Sequence, residues 1–385
     1  MSNSAAIAFL QDLIRIPSVG QQEEAVADRI WEFVEASGTA QYFHKQIVPY
    51  ATGRENIILD LGTDDTLPLL GVSGHMDVVK AGDEKAWQYP PFAAEIHDGV
   101  LYGRGASDMK SGLAALVVAL TNVAGQELPN RIRFMGTVNE EVDNGGAAKL
   151  AKLGFTKDLA ALLIAEPTGV HTMWHSEKGI SDFTARVKGL AAHSSEPQLG
   201  KNAINGLLRL AQLMSEKTAP LTAEEDVQLG HATYNLTLIG GGVQVNIIPD
   251  QAYFRGNIRS TPTANNDRFA AALQDAVTQA QDEGIEATLE IGSTLPARAS
   301  AEDNPLITQL QEVIVLNGHA PAQVTAGAGI TDAAAMIPND FPFAVFGPGN
   351  DTSHQVDENV DVQDYLDAIR IYTDLFVHFT DQPKK

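Results

Sequence analysis

Apolar positions along the chain follow two rhythms. From the start to about Glu166, short apolar runs at 56–61, 69–73, 131–137 and 160–164 alternate with stretches of helical period such as 1–14 and 108–123. Strands that alternate with helices predict an α/β layer whose sheet is mostly parallel and flanked by helices. Between 178 and 291 the order changes to strand 181–188, helix 202–214, strands 233–239 and 251–259, helix 266–282 and strand 286–291. That β-α-β-β-α-β order is the pattern of a ferredoxin-like α+β unit able to close its own small core. The helix–strand alternation returns afterwards, at 305–315, 343–346 and 361–379. The expected organisation is a first domain made of 1–177 and 292–385, interrupted by an inserted domain at 178–291.

A length of 385 residues agrees with two domains. With 49 acidic against 26 basic residues and a net charge of −23, the chain repels nucleic-acid backbones and anionic membranes, so a small-molecule substrate is expected. It has no cysteine, which excludes disulfides and a thiol nucleophile and leaves His, Asp and Glu as the strong metal ligands. The longest purely apolar run, 113–120, falls far short of the roughly 20 residues that span a bilayer. The first helix lacks the basic leader and continuous apolar stretch of a secretory signal, so a cytoplasmic location is expected.

Five clusters carry candidate chemistry. Ser73-Gly74-His75-Met76-Asp77 ends an apolar strand, and residues at i and i+2 of a strand share a face, so Asp77 is expected to hydrogen-bond the His75 ring. Gly103-Arg104-Gly105-Ala106-Ser107-Asp108 is a glycine-rich turn into a helix; taken alone, Ser107 and Asp108 there read as cap and first-turn residues. Asn139-Glu140-Glu141 follows a strand, where the two carboxylates can diverge, one toward a metal and the other toward water. Glu166 directly follows the strand at 160–164. Gly347-Pro348-Gly349-Asn350 through His354 again follows a short apolar strand. Ligands of open α/β sheets gather beyond the carboxyl ends of the strands, which is where His75, Glu140, Glu141 and Glu166 all fall.

Taken in order, these five clusters resemble the metallopeptidase family of aminoacylases, acetylornithine deacetylases, succinyl-diaminopimelate desuccinylases and glutamate carboxypeptidases. The resemblance runs along nearly the whole chain, and five ordered motifs are far more specific than any one of them. It implies a catalytic domain with an inserted lid and dimerisation domain, and two divalent metal ions, with zinc suited to the sulfur-free ligands and cobalt or manganese as alternatives. By the same resemblance His75 and Glu166 hold one metal, Glu141 and His354 the other, Asp108 bridges them, Asp77 orients His75 and Glu140 is the general base. In the lid, His193 within Gly189-Leu190-Ala191-Ala192-His193-Ser194 matches a histidine that steadies the oxyanion in the partner subunit's site. Asn246 and Arg259 match positions that bind the substrate's carboxylate. Gly329 and Asn350 are further candidates for substrate contact.

One departure stands out. Desuccinylases commonly carry Gly-Thr-Ser-Asp-Gly-Arg where this chain has Gly329-Ile330-Thr331-Asp332-Ala333-Ala334. The expected function is metal-dependent hydrolysis of the amide bond of an N-acyl amino acid by a homodimer, with no nucleic-acid or membrane partner. A di- or tripeptidase or carboxypeptidase on the same scaffold is the alternative, and a catalytically inactive small-molecule binder is the non-enzymatic one. A serine hydrolase is set aside, because Gly71-Val72-Ser73-Gly74-His75 lacks the nucleophile-elbow spacing.

Overall fold

The computed structural model describes residues 1–327, 329–336 and 341–381. The chain divides into two compact units: Met1–His175 with Ser300–Ala326 and Thr331–Lys385, and Ser176–Ala299 with Gly327–Ile330.

The first unit is organised by a twisted sheet. Its centre is parallel: Arg131–Thr137, Leu69–His75, Leu159–Ile164 and Phe343–Val345 lie side by side in that order. Antiparallel strands extend both sides, Arg54–Leu61 and Phe43–Ala51 beyond Arg131–Thr137, and Thr172–Glu177 beyond Phe343–Val345. The α/β expectation holds, with these flanking antiparallel strands added to the parallel centre. Leu69–His75 is buried along its whole length, as expected for a strand covered on both faces.

Helices Asn3–Ile14, Glu23–Ala36, Lys110–Val123, Pro305–Leu316 and Val362–His378 supply that cover. Lys110–Val123 is buried everywhere except at Asn122, which explains its nearly unbroken run of Leu, Ala and Val in place of a one-sided stripe. Its close seat depends on Gly112, where a Cβ would stand 1.9 Å from the Ala165 carbonyl oxygen. The glycine lets this helix reach the end of strand Leu159–Ile164, so that Asp108 and Glu166 come together.

The second unit has the ferredoxin-like order. Strands Gly179–Lys188, Thr233–Gly241, Gln251–Ser260 and Glu286–Leu295 form an antiparallel sheet, with Gly179–Lys188 between Gln251–Ser260 and Glu286–Leu295 and Thr233–Gly241 at the edge. Its core is built by period-2 alternation: Phe183, Ala185, Val187, Phe254 and Ile258 face inward against Leu207, Leu210 and Leu213 of helix Ala203–Ala223 and Phe269, Leu273 and Val277 of helix Asn266–Asp282. The first of these helices runs past its expected end at 214 and carries Pro220 in its last turn. No helix among the described residues is long and apolar enough to cross a membrane.

Candidate metal centre

Five chain segments converge beyond the ends of the parallel strands. His75 is the last residue of its strand and is 1% exposed. Its Nε2 lies 3.1 Å from Asp108 Oδ1 and 3.7 Å from Glu166 Oε1. The other oxygen of Asp108, Oδ2, lies 3.3 Å from Nε2 of His354, which is itself 3.0 Å from Glu141 Oε2. One carboxylate thus presents its two oxygens to two different imidazoles, each flanked by a glutamate. Glu140 is close as well: side-chain ligand atoms of His75, Glu140 and Glu166 lie within 4.8 Å of one another, as do those of His75, Asp108 and Glu141.

Buried hydrogen bonds fix the turns that carry several of these groups. Glu358, fully buried, accepts from the backbone N–H of Gly105, Ser107 and Asp108 and pairs with Arg104, which shapes the turn carrying Asp108. Within that turn the Asp108–Met109 peptide is cis. Ser107 Oγ donates to the Asn350 carbonyl and accepts from the Asn350 N–H, stitching this turn to the loop of His354. Gly347 lets that loop pass the end of the Glu166 strand, since a Cβ there would stand 2.4 Å from the Ala165 carbonyl oxygen.

The contact between Asp77 and His75 differs from the expected one in the atom that makes it. Asp77 does bond the His75 ring, but through its backbone carbonyl, 2.9 Å from Nδ1, while its carboxylate stands 3.8 Å away. The strand ends at His75, so the i, i+2 alternation no longer applies at Asp77. Its carboxylate instead accepts the backbone N–H groups of Glu140 (3.2 Å) and Glu141 (3.3 Å), fixing both glutamates at once. The Asn350 amide is engaged locally: Nδ2 donates to Asn359 and Oδ1 accepts from the Thr352 N–H. It shapes the His354 loop.

The remaining candidates belong to the second unit. His193 and Asn246 adjoin a two-stranded ladder, Ala192–His193 against Ile247–Ile248, and both are exposed. The Ser195 N–H donates to His193 Nδ1 at 3.2 Å, which leaves the proton of a neutral ring on Nε2. Arg259 lies on strand Gln251–Ser260, partly exposed, opposite Thr233 on one side and Ile180 on the other. Gly329 is in a bend and partly exposed.

Three residues that the sequence reading passed over complete the first-unit site. Glu358 was hidden in the unremarkable run Asp357-Glu358-Asn359. Asn144 donates to both Glu140 Oε1 (3.0 Å) and Asp332 Oδ1 (3.1 Å). Asp332, only 2% exposed, also accepts from the Thr137 hydroxyl. The local signal for Asp332 is the departure at 329–334, where an arginine is missing and a threonine is shifted relative to the desuccinylase pattern.

The electrostatics follow from burial. Burial pushes the carboxyl of Glu166 well above the usual carboxylate range, with Asp108 adding to it. Glu140 is raised in the same way; there the opposing pull of His75 is outweighed by burial, Asp332, Glu141 and Asp108. Burial alone would lower the His75 imidazole, yet Glu166 and the bond to Asp108 hold it well above its ordinary value. His354 is pushed up to about 10 by its hydrogen bonds to Asp108 and Glu141. Burial works against the Asp108 carboxylate, but bonds from His354 and His75 hold its carboxyl far below the ordinary value. Four carboxylates therefore crowd a buried patch where even two imidazolium rings leave negative charge uncompensated, and oxygen and imidazole donors in this number suit divalent cations.

Residues 71–378 match the Peptidase family M20/M25/M40. The chain is 32% identical to a probable succinyl-diaminopimelate desuccinylase of Staphylococcus epidermidis, over 98% of each protein. Among solved structures it resembles an M20 family metallo-carboxypeptidase of Sulfolobus solfataricus (TM-score 0.78, 17% identity, 96% of this chain and 98% of that one). A dinuclear metal binding peptidase of the M20 family from Bacillus subtilis is similar too (TM-score 0.73, 18% identity, 97% of each chain). The match over most of the chain, joined to a cluster of His, Asp and Glu at the strand ends, shows that this chain belongs to peptidase family M20/M25/M40 and is a metal-dependent hydrolase.

Proposed function

We propose that the protein hydrolyses the amide bond of an N-acyl amino acid that bears a free carboxylate, using two divalent cations, zinc first among them. The observation that carries this reading is Asp108, whose two oxygens face His75 at 3.1 Å and His354 at 3.3 Å. In this reading Asp108 bridges, His75 and Glu166 complete one binding position, and Glu141 and His354 complete the other. Cations bound there supply Lewis acidity, polarising the scissile carbonyl and lowering the pKa of water. Glu140 takes the proton from the attacking water and returns it to the leaving amine nitrogen, the two roles of one carboxyl group in amide hydrolysis. Asp77 keeps the backbone of Glu140 and Glu141 in place while they do different work.

The second unit supplies recognition. Arg259 grips the carboxylate at two points, a task suited to a guanidinium, and Asn246 assists. His193, with its ring proton on Nε2, donates to the oxyanion that forms at the scissile carbon of a partner subunit's substrate. A homodimer is the assembly this requires, and a cytoplasmic location is part of the same proposal. In its support, the edge strand Thr233–Gly241 exposes Leu236, Leu238 and Ile239, a surface that pairing with a second copy would cover.

A di- or tripeptidase is the second reading, favoured by one observation. Position 334, where desuccinylases commonly carry arginine, is a fully buried alanine, so no guanidinium is offered there to an acyl carboxylate. Turnover of N-acetyl, N-succinyl and N-formyl amino acids and of dipeptides, with metal content measured in parallel, tests both. Amide hydrolysis that is abolished by chelation and restored by zinc, cobalt or manganese is expected. Full metal loading without hydrolysis of any acyl amino acid or dipeptide would overturn the proposal.

A further inference from the structure

A buried chain of hydrogen bonds runs from Glu140 through Asn144 to Asp332 and Thr137. Asn144 stands one helical turn after Glu140, closing the short helix Glu140–Asp143 in the left-handed conformation at φ 53°. Its Nδ2 lies 3.0 Å from Glu140 Oε1 and 3.1 Å from Asp332 Oδ1. The second oxygen of Asp332 accepts from the Thr137 hydroxyl, on the strand that leads into the Glu140 turn. Asn144 is 3% and Asp332 2% exposed, so water does not substitute for these bonds. The orientation of the amide follows from its neighbours: with Nδ2 turned away, Asn144 Oδ1 would face two carboxylate oxygens, and three acceptors would meet with no hydrogen between them.

We propose that Asn144 is a positioning residue for the general base and that Asp332 locks its orientation. The two hydrogens on Nδ2 go to two different carboxylates, and Asp332 engages both its oxygens with Asn144 and Thr137, so Asp332 serves as an anchor. Glu140 Oε1 is then committed to accepting from Asn144, and Oε2 is left as the oxygen that takes the proton. The water oxygen bonds to the carbonyl carbon as its proton moves to Oε2. That proton passes to the amine nitrogen as the carbon–nitrogen bond breaks, and the carboxylate is regenerated. Asp77 fixes the Glu140 backbone through its N–H and Asn144 fixes the side chain, so the reactive oxygen has one place to be. This inference rests on the reading of Glu140 as the base.

A double-mutant cycle tests it. Asn144→Gly and Asn144→Asp both tolerate the left-handed backbone, and each removes the donor. In the otherwise native enzyme each is expected to lower kcat roughly 10- to 100-fold with KM little changed, the usual effect of losing a group that orients a catalytic one. Metal content should stay at the parent's value in both, and the thermal midpoint should fall further in Asn144→Asp, which sets a third carboxylate against Glu140 and Asp332, without a matching difference in kcat. In a Glu140→Gln background the same substitutions should cost nothing further, because the group they position no longer moves a proton. Asp332→Asn should give a smaller loss of the same kind. An equal fold-loss in both backgrounds, or a loss that tracks metal content or thermal midpoint, would overturn the proposal and make Asn144 structural. Retention of activity by Glu140→Gln alone would instead overturn the base reading, an outcome read independently of the Asn144 variants.

Discussion

The cluster around Asp108 and the residues offered by the second unit are built on different terms. His75, Asp77, Asp108, Glu140, Glu141 and Glu166 are mostly buried, and each is tied by its backbone or side chain to the end of a parallel strand or the turn after it. His193 and Asn246 are exposed beside a two-residue ladder, and no ion pair to Arg259 occurs among the described residues. The contrast separates preorganisation from recognition. Mutually repelling carboxylates stay in place only if neighbours hold them there against their own electrostatics. A cation or ring that meets a substrate needs only to be presented, and the substrate completes its hydrogen bonds.

The sharpest way to break this contrast is Glu140→Gln. The exchange keeps the side chain's size and removes only its capacity to take a proton. Metal content is expected to remain near that of the native protein while kcat falls about 10²- to 10⁴-fold, the usual worth of a general base. Loss of metal in this variant would count Glu140 among the ligands, as its closeness to His75 and Glu166 permits.

Next in size is Glu358→Ala, which touches no substrate. With three backbone N–H groups of the Asp108 turn deprived of their acceptor, metal affinity measured by competition with a chelator is expected to fall roughly 10- to 100-fold. Unchanged affinity would mean that the turn holds its shape unaided, and the idea of a preorganised cluster would lose its main support.

In the second unit, Arg259→Ala should raise KM for a carboxylate substrate roughly 10- to 100-fold, as expected for a hydrogen-bonded charge worth about 1.5 to 3 kcal/mol. The rate on the matching methyl ester should hardly move. Equal losses on acid and ester would make Arg259 a structural residue of its strand.

The smallest expected signal is a recovery. Mixing inactive His193→Ala chains with inactive Glu140→Gln chains, under conditions where subunits exchange, should return up to about a quarter of native activity, since random pairing leaves one intact site in half of the dimers. No recovery despite proven exchange would place His193 outside the partner's site.

Much of this molecule is legible in the residues alone. Strand runs such as Leu69–His75 and Leu159–Ile164, and the switch to β-α-β-β-α-β order, follow from apolar periodicity, because burial on one or both faces dictates where Val, Leu and Ile must fall. Strand ends are where a parallel sheet gathers its ligands, which made His75, Glu141 and Glu166 candidates; the ligand set His75, Asp108, Glu141, Glu166 and His354 is what the resemblance of the five ordered motifs implies. Strand Phe43–Ala51 was not foreseen, since its Lys45, Gln46 and Pro49 blur the alternation on a partly exposed edge.

What the sequence could not decide is which atoms meet. A pattern of residue types names Asp77 as a partner of His75, but whether its carbonyl or its carboxylate reaches the ring depends on where the strand stops. Asn144 and Asp332 are 188 positions apart, and Thr137 and Asp332 195. Nothing local to any of the three marks the buried chain they form with Glu140. Periodicity reports how a residue faces its own element, so it determined the strands, the helices and the strand-end positions. Hydrogen bonds between side chains from different elements depend on how close the backbones pass. That distance is set by contacts such as Gly112 against Ala165, which exist only once the chain has folded.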